Sequence, residues 1–260
     1  MSNPPSRSPF TSLPQLLYGL YAAGIFVMLG LLAVLLIMLP FSLTARRHIA
    51  HLTGRCFFFL ARIPVHLLDA HQLPAGPCVL VANHASYLDG IVLKAVLPAR
   101  FSFVIKKEVS RVPIVGLLLR RIGSAFVDRF NRHAGGVDAR RLFKAADAGQ
   151  ALVFFPEGTF QAQPGLGKFQ TGAFAIAVRT GLPIVPVAIR GTRRSLPAGR
   201  FLPRPGHIEV QVLTPIPPLD EDVRTALTAG RDEARARILA VLDEPDLGTD
   251  GIAALQTRRR

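Results

Sequence analysis

The sequence predicts an α/β domain with a largely parallel central sheet flanked by helices, preceded by an N-terminal membrane helix or helical hairpin. Three observations predict it. No residue between Arg7 and Arg46 carries a formal charge, and positions 13–39 are almost continuously apolar. From about residue 65 onward, short apolar runs alternate with longer segments of helical periodicity. The 260 residues are 50% hydrophobic and only 18% charged, which excludes a disordered chain and leaves room for one domain with an appendage.

The first element is the apolar run. A bilayer core takes about 20 apolar residues in a helix, so positions 13–39 are long enough to span, or to enter and turn back. A secretory signal would carry only about 7–15 apolar residues before a small-residue cleavage site. This run continues instead to Pro40-Phe41 and then Arg46-Arg47, as expected of an uncleaved anchor over residues 1–45. Arg46, Arg47, His48 and Arg55 on one flank face a single Arg7 on the other. The positive-inside tendency then keeps the remainder on the cytoplasmic face of the cell's inner membrane. Residues 46–75 read as an interfacial connection, in which 51–63 forms an amphipathic helix on the lipid surface.

Strands are expected at 65–69, 78–82, 101–105, 124–127, 152–155, 184–189 and 208–213, and helices at 87–97, 114–122, 137–148, 169–180 and 221–242. Such alternation favours a sheet with parallel strands and an active site on loops at their carboxyl ends. The motif-bearing domain is expected over 76–242, with a polar basic tail at 243–260 ending in Arg258-Arg259-Arg260 and touching solvent or anionic lipid. Cys56 and Cys78 are the only cysteines, too few for a disulfide framework and without metal-ligand spacing, so no metal is expected.

Chemistry is expected where strand 78–82 runs into Asn83-His84, with Asp89 five residues after the histidine. In one continuous helix such a pair lies about 500° apart, effectively 140°, and cannot touch. The two meet only if His84 sits on the turn before the helix. Asp89 would then fix one imidazole nitrogen and leave the other as a general base. His133 and Asp138 repeat the spacing, but Gly135-Gly136 between them reads as a surface turn into a helix cap. Three further runs end or form strands: Gly123 to Arg129 (GSAFVDR), Phe155-Pro156-Glu157-Gly158-Thr159, and Val185-Pro186-Val187-Ala188-Ile189. Taken singly, these read as a basic surface, a strand exit and a buried strand wall.

In order, NHASYLD, GSAFVDR, FPEGT and VPVAI over residues 83–189 resemble the glycerolipid acyltransferase family, specifically bacterial 1-acylglycerol-3-phosphate acyltransferases. The resemblance covers about residues 76–215. It implies a glycerolphosphate acyltransferase-like fold, His84 as catalytic base and Asp89 as its partner. Asn83, Arg129 and Glu157-Gly158-Thr159 fall in the substrate site, and Lys106 at the end of strand 101–105 joins them by the same likeness. It further implies acyl transfer to the free hydroxyl of a lysoglycerolipid, most of all 1-acylglycerol 3-phosphate, giving phosphatidate for phospholipid biosynthesis. By the same likeness no bound cofactor is expected, acyl-coenzyme A or acyl carrier protein is the expected co-substrate, and membrane lipids and the lysolipid acceptor are the expected partners. The absence of a G-x-S-x-G elbow favours direct transfer over an acyl-enzyme.

The sequence departs from the family at one place. Where many members carry an arginine after Glu-Gly-Thr to hold the acceptor phosphate, this chain has Phe160, then Gln161. Two alternatives stay open: Lys168, after the loop Pro164-Gly165-Leu166-Gly167, takes the arginine's place, or the acceptor is another lysolipid lacking a terminal phosphate. A net charge of +14 also allows a membrane-tethered basic binding protein. With no Trp, three Tyr and no recognisable nucleic-acid motif, nucleic acid is not the expected partner.

Overall fold

The computed structural model describes residues 12–128, 132–219 and 221–248, and of residues 132–136 it describes only the backbone. The apolar run is helix α1 (Leu13–Met38), with Pro14 in its first turn, where a missing N–H costs nothing. Pro40 follows its end, and α2 (Leu43–Leu60) begins at once, capped by the Ser42 hydroxyl, which accepts from the Ala45 amide at 3.2 Å. The start of α1 lies beside the end of α2, since Tyr18 donates to the Ala61 carbonyl at 2.8 Å and Tyr21 to Leu60 at 3.0 Å. The pair is therefore an antiparallel helical hairpin.

Helix α2 starts eight residues before the expected amphipathic segment, and its inner face is core rather than lipid surface. Phe57, Phe58 and Ala61 are buried, and Gly54 lies so close to α3 (Leu88–Val96) that a Cβ would stand 3.1 Å from Ala95. Phe57 meets Phe26 of α1 edge to face at 5.4 Å. Its outer face is open, with Phe59 82% exposed.

All seven expected strands form: β1 (Val65–Leu68), β2 (Val79–Ala82), β3 (Ser102–Lys106), β4 (Ala125–Val127), β5 (Leu152–Phe154), β6 (Ile184–Arg190) and β7 (Ile208–Val212). They make one sheet in the order β1-β7-β6-β2-β5-β3-β4. Strands β2 to β6 are mutually parallel, whereas β7 runs antiparallel to β6 and carries β1 parallel to itself. The sheet thus takes in β1, which the sequence reading assigned to the 46–75 connection rather than to the 76–242 domain.

Alternation along each strand feeds two cores. Leu80 and Ala82 of β2, with Val185, Val187 and Ile189 of β6, face α3 and the α1–α2 hairpin. Val79 and Val81, with Ile184 and Ala188, face the opposite layer of α5 (Arg132–Asp147), α6 (Gly172–Thr180) and α8 (Val223–Val241). A short α4 (Val115–Arg121) seats Ile122 against Ala33 and Ile37 of α1. The remaining short helix, α7 (Thr192–Ser195), follows β6 directly.

Two expectations change. Helix α5 begins at Arg132, so Gly135-Gly136 lies within a helix and forms no turn. The tail is docked from its first residues. Leu166 and Asp246 form a bridge, the Leu247 amide donates to the Leu166 carbonyl at 3.0 Å, and Leu247 is 9% exposed. Leu247 joins an apolar surface there, which a wholly solvated tail would forgo. The three terminal arginines lie outside the described residues.

Candidate active site

The five parallel strands deliver their carboxyl ends to one edge of the sheet, and β2 delivers Asn83 and His84 there. Helix α3 starts only at Leu88, so His84 stands on the preceding turn and Asp89 in the first helical turn. Freed from helical spacing, the two side chains meet: His84 Nδ1 lies 2.8 Å from Asp89 Oδ2. The same oxygen accepts from the backbone amides of Ala85 at 2.6 Å and Ser86 at 2.8 Å. Asp89 is wholly buried while His84 keeps a 19% exposed side chain, so the carboxylate sits behind and the imidazole opens to solvent. A carboxylate oxygen facing Nδ1 sets that nitrogen as the donor, leaving Nε2 with a lone pair.

The decoy pair shows the contrast. Positions 133 and 138 both lie within the continuous helix α5, with no helix start between them. The Asp138 carboxylate instead accepts from the Asp128 amide at 2.9 Å.

Aromatic rings complete the setting of His84. Phe155 stacks on the imidazole at 4.4 Å and 21°, and Phe160 meets it edge-on at 4.7 Å. Tyr87 packs edge-on against Phe160 in turn, also at 4.7 Å. Position 160, where a guanidinium is usual in the resembling family, therefore holds an apolar wall beside the base. The sequence reading marked Phe160 as a departure, but no periodicity tied Phe155 or Tyr87 to the histidine.

Two residues expected in the substrate site have their side chains bonded to backbone groups. Asn83 is 3% exposed, and its side-chain amide donates to the Ile189 carbonyl at 2.9 Å and accepts from the Ile189 amide at 2.7 Å. That two-way pairing pins the β2 exit to β6, so Asn83 has both polar ends committed to backbone. Glu157 is similarly committed: Oε1 accepts from the His84 amide at 2.6 Å and Oε2 from the Gly167 amide at 2.8 Å. Burial pushes the Glu157 carboxyl up from its ordinary value, against the two amides that favour its charge.

Gly158 turns the chain with φ +81°, a conformation glycine adopts without strain, and Thr159 and Lys168 are exposed. Lys106 ends β3 half-buried, and the neighbouring Lys107 pairs with Asp128 at 3.2 Å. Arg129 lies outside the described residues. Ser86, which sequence reasoning passed over, donates to the Leu196 carbonyl at 2.7 Å and accepts from the Leu88 amide at 3.1 Å, fastening the His84 turn at both ends. Its position inside the NHASYLD run was the available signal. Among the described residues, no group of three or more His, Cys, Asp or Glu is placed to hold a metal.

With this geometry established, the likeness to known proteins is informative. A family model described as Acyltransferase matches residues 64–190. Over that stretch the chain is similar to the acyltransferase family. Its curated relatives include a chloroplastic 1-acyl-sn-glycerol-3-phosphate acyltransferase of Arabidopsis thaliana, 30% identical over 236 residues, 85% of this chain and 64% of the relative. A second chloroplastic one, from Brassica napus, is 31% identical over 183 residues, covering 65% and 53%. The Saccharomyces cerevisiae protein of the same name is 29% identical over 184 residues, covering 67% and 60%. The chain thus spans between half and two thirds of the length of these relatives. The crystal structure of a 1-acyl-sn-glycerophosphate (LPA) acyltransferase from Thermotoga maritima shares the fold, with a TM-score of 0.69 at 23% identity over 89% of this chain and 98% of that one. The acyltransferase match begins at Ile63's neighbour Pro64, just before β1, in keeping with β1 as part of the sheet.

Proposed function

We propose that this chain is an acyltransferase that moves a fatty acyl group from an acyl thioester to the free hydroxyl of a lysoglycerolipid, with 1-acylglycerol 3-phosphate as acceptor and phosphatidate as product. The observation that carries the proposal is the His84–Asp89 pair, 2.8 Å apart with the carboxylate buried and the imidazole open. A hydroxyl at neutral pH is a poor nucleophile. His84 Nε2 takes its proton as the oxygen attacks the thioester carbon, and Asp89 stabilises the imidazolium that forms. Collapse of the tetrahedral intermediate breaks the carbon–sulfur bond, and the departing thiolate receives the proton from Nε2. Ester and free thiol leave, and the histidine is neutral again. Acyl-coenzyme A or acyl carrier protein is the donor in this reading.

A second acceptor class is favoured by Phe160. An apolar ring 4.7 Å from the base suits an uncharged lysolipid group better than a phosphate dianion. Placement on the cytoplasmic face of the inner membrane is part of the same proposal. Helix α1 is long and apolar enough to cross a bilayer by length and composition, and Leu17, Leu20, Val27, Leu31 and Leu35 on its outer side are at least half exposed. Yet Gly19 near its start abuts Leu202, and Met38 at its end accepts from Arg121 at 2.9 Å. Contact with the domain at both ends supports a hairpin seated in one leaflet rather than a spanning helix.

The test is a panel of lysolipid acceptors offered to the purified protein with a labelled acyl thioester, alongside His84→Ala. Transfer to lysophosphatidate that disappears in His84→Ala, with the melting temperature retained, is the expected result. Substantial transfer by His84→Ala would overturn the assigned base, and preference for a phosphate-free acceptor would decide for the second class.

A further inference from the structure

The Glu157 carboxylate is one link in a chain of contacts that runs from His84 to the end of the described chain. Its Oε1 accepts the His84 amide and its Oε2 the Gly167 amide. The loop 165–167 is held in turn from the far side. Arg235 of α8 donates to the Gly167 carbonyl at 3.0 Å and to the Leu166 carbonyl at 2.9 Å, and pairs with Asp246. Glu244 accepts from the Gly165 amide at 2.9 Å while receiving Arg193 of α7 at 2.8 Å. Leu166 and Leu247 complete the seam through backbone bonds.

Both glycines of the loop are required by these contacts. A Cβ on Gly167 would stand 2.9 Å from Glu157 Oε2, and one on Gly165, where φ is +137°, would overlap Leu247 and lie 2.8 Å from the Pro245 carbonyl. The loop is thus pressed between the Glu157 carboxylate and the segment 244–247. Each Glu157 oxygen accepts a backbone amide, one from the His84 turn and one from the loop, so the carboxylate links the two.

We infer that Glu157 is a positioning residue rather than a substrate ligand, and that Arg235, Glu244 and Asp246 set the height of the His84 turn through it. The inference rests on His84 being the base of the proposed acyl transfer. The docked C-terminal segment is then part of the catalytic apparatus: it braces the loop, the loop braces Glu157, and Glu157 fixes the backbone from which the imidazole is aimed. Positioning of this kind acts on the turnover step, because a base displaced by a fraction of an ångström still sits in a site that binds both substrates.

The experiment compares Glu157→Gln, Arg235→Gln, Asp246→Asn and the double variant Glu157→Gln/Arg235→Gln in the full-length protein. In Glu157→Gln one amide faces an NH2 group instead of an acceptor oxygen. Turnover is expected to fall about tenfold or more, the scale of one lost charge-assisted hydrogen bond, with KM for donor and acceptor unchanged. Arg235→Gln and Asp246→Asn should lower kcat in the same direction, and the double variant should lose less than the product of the single effects. A rise in acceptor KM at constant kcat in Glu157→Gln would overturn the inference, as would full additivity. A second readout needs no substrate. With histidine-selective 15N labelling, which marks seven residues, the His84 amide proton should move upfield in Glu157→Gln and also shift in Arg235→Gln. An unmoved His84 amide in Arg235→Gln overturns the coupling. Shifts in both variants, together with no acyl transfer by the parent protein to any lysolipid, would uphold the brace and sink the proposed reaction instead.

Discussion

Replacing Asp89 by Asn separates two roles that a carboxylate behind a histidine can play. All three hydrogen bonds to Asp89 end on one oxygen, Oδ2, which receives His84 Nδ1 and the amides of Ala85 and Ser86. Oδ1 is buried without a hydrogen-bond partner among the described residues. An asparagine carbonyl placed at the Oδ2 position therefore keeps every bond and the imidazole tautomer. The reverse orientation would set an NH2 against two N–H donors. In the serine-protease triad the same exchange costs about 10⁴ in turnover because the tautomer is lost. Here only the charge is lost. A charged hydrogen bond exceeds a neutral one by about 1.5 kcal/mol, and opposite charges 4 Å apart at an effective dielectric of 20 attract by about 4 kcal/mol. Between those limits kcat falls by about 10- to 1000-fold. Single-turnover transfer of a labelled acyl group measures it, and histidine 15N shifts report the tautomer. A loss equal to that of His84→Ala, or a flipped tautomer, would refute the reasoning, and so would a rate equal to the parent's.

Two further outcomes concern stability. Gly165→Ala adds a Cβ at φ +137° against Leu247 and Pro245, so it should cost about 2 kcal/mol or more and expose the 244–247 segment to protease; an unchanged melting temperature would contradict the packed seam. Lys94 of α3 is lowered to about 8, first by burial and then by Arg47. Its folded value lies below its unfolded one, so the penalty for charging it is full below about pH 8 and fades as pH rises toward the ordinary lysine value. Lys94→Met should therefore stabilise the protein by about 1–3 kcal/mol at pH 7, with a gain that shrinks on going to pH 10; equal melting temperatures at pH 7 would count against a buried ammonium.

The strands were legible because each is a short apolar run closed by a turn residue, and a buried parallel sheet needs little else. The His84–Asp89 contact was legible for a geometric reason: five residues cannot meet within a helix, so the pair had to straddle a helix start, and Leu88 supplies it. The backbone partners of Asn83 and Glu157 were not legible. Their partners are backbone groups 106 and 73 positions away, and backbone partners leave no mark on the residue types found there. The hairpin was half legible. Apolar content announced α1, but α2 mixes arginines and histidines with apolar residues, and only tertiary contact with Ala95 of α3 and Phe26 of α1 makes part of it core. Gly135-Gly136 misled because glycine weakens a helix without forbidding one.

The way α1 is fastened bears on how such a protein meets its lipids. Gly19 on Leu202 and Arg121 on Met38 tie the apolar hairpin to the sheet domain near both ends of α1. The depth and tilt of the cleft against a bilayer are then properties of the fold. For the proposed acyl transfer, encounter is a search in two dimensions, governed by how crowded the acceptor is within the lipid plane rather than by its molarity in the vessel. Diluting the acceptor with inert lipid at fixed total amount slows a reaction arranged in this way.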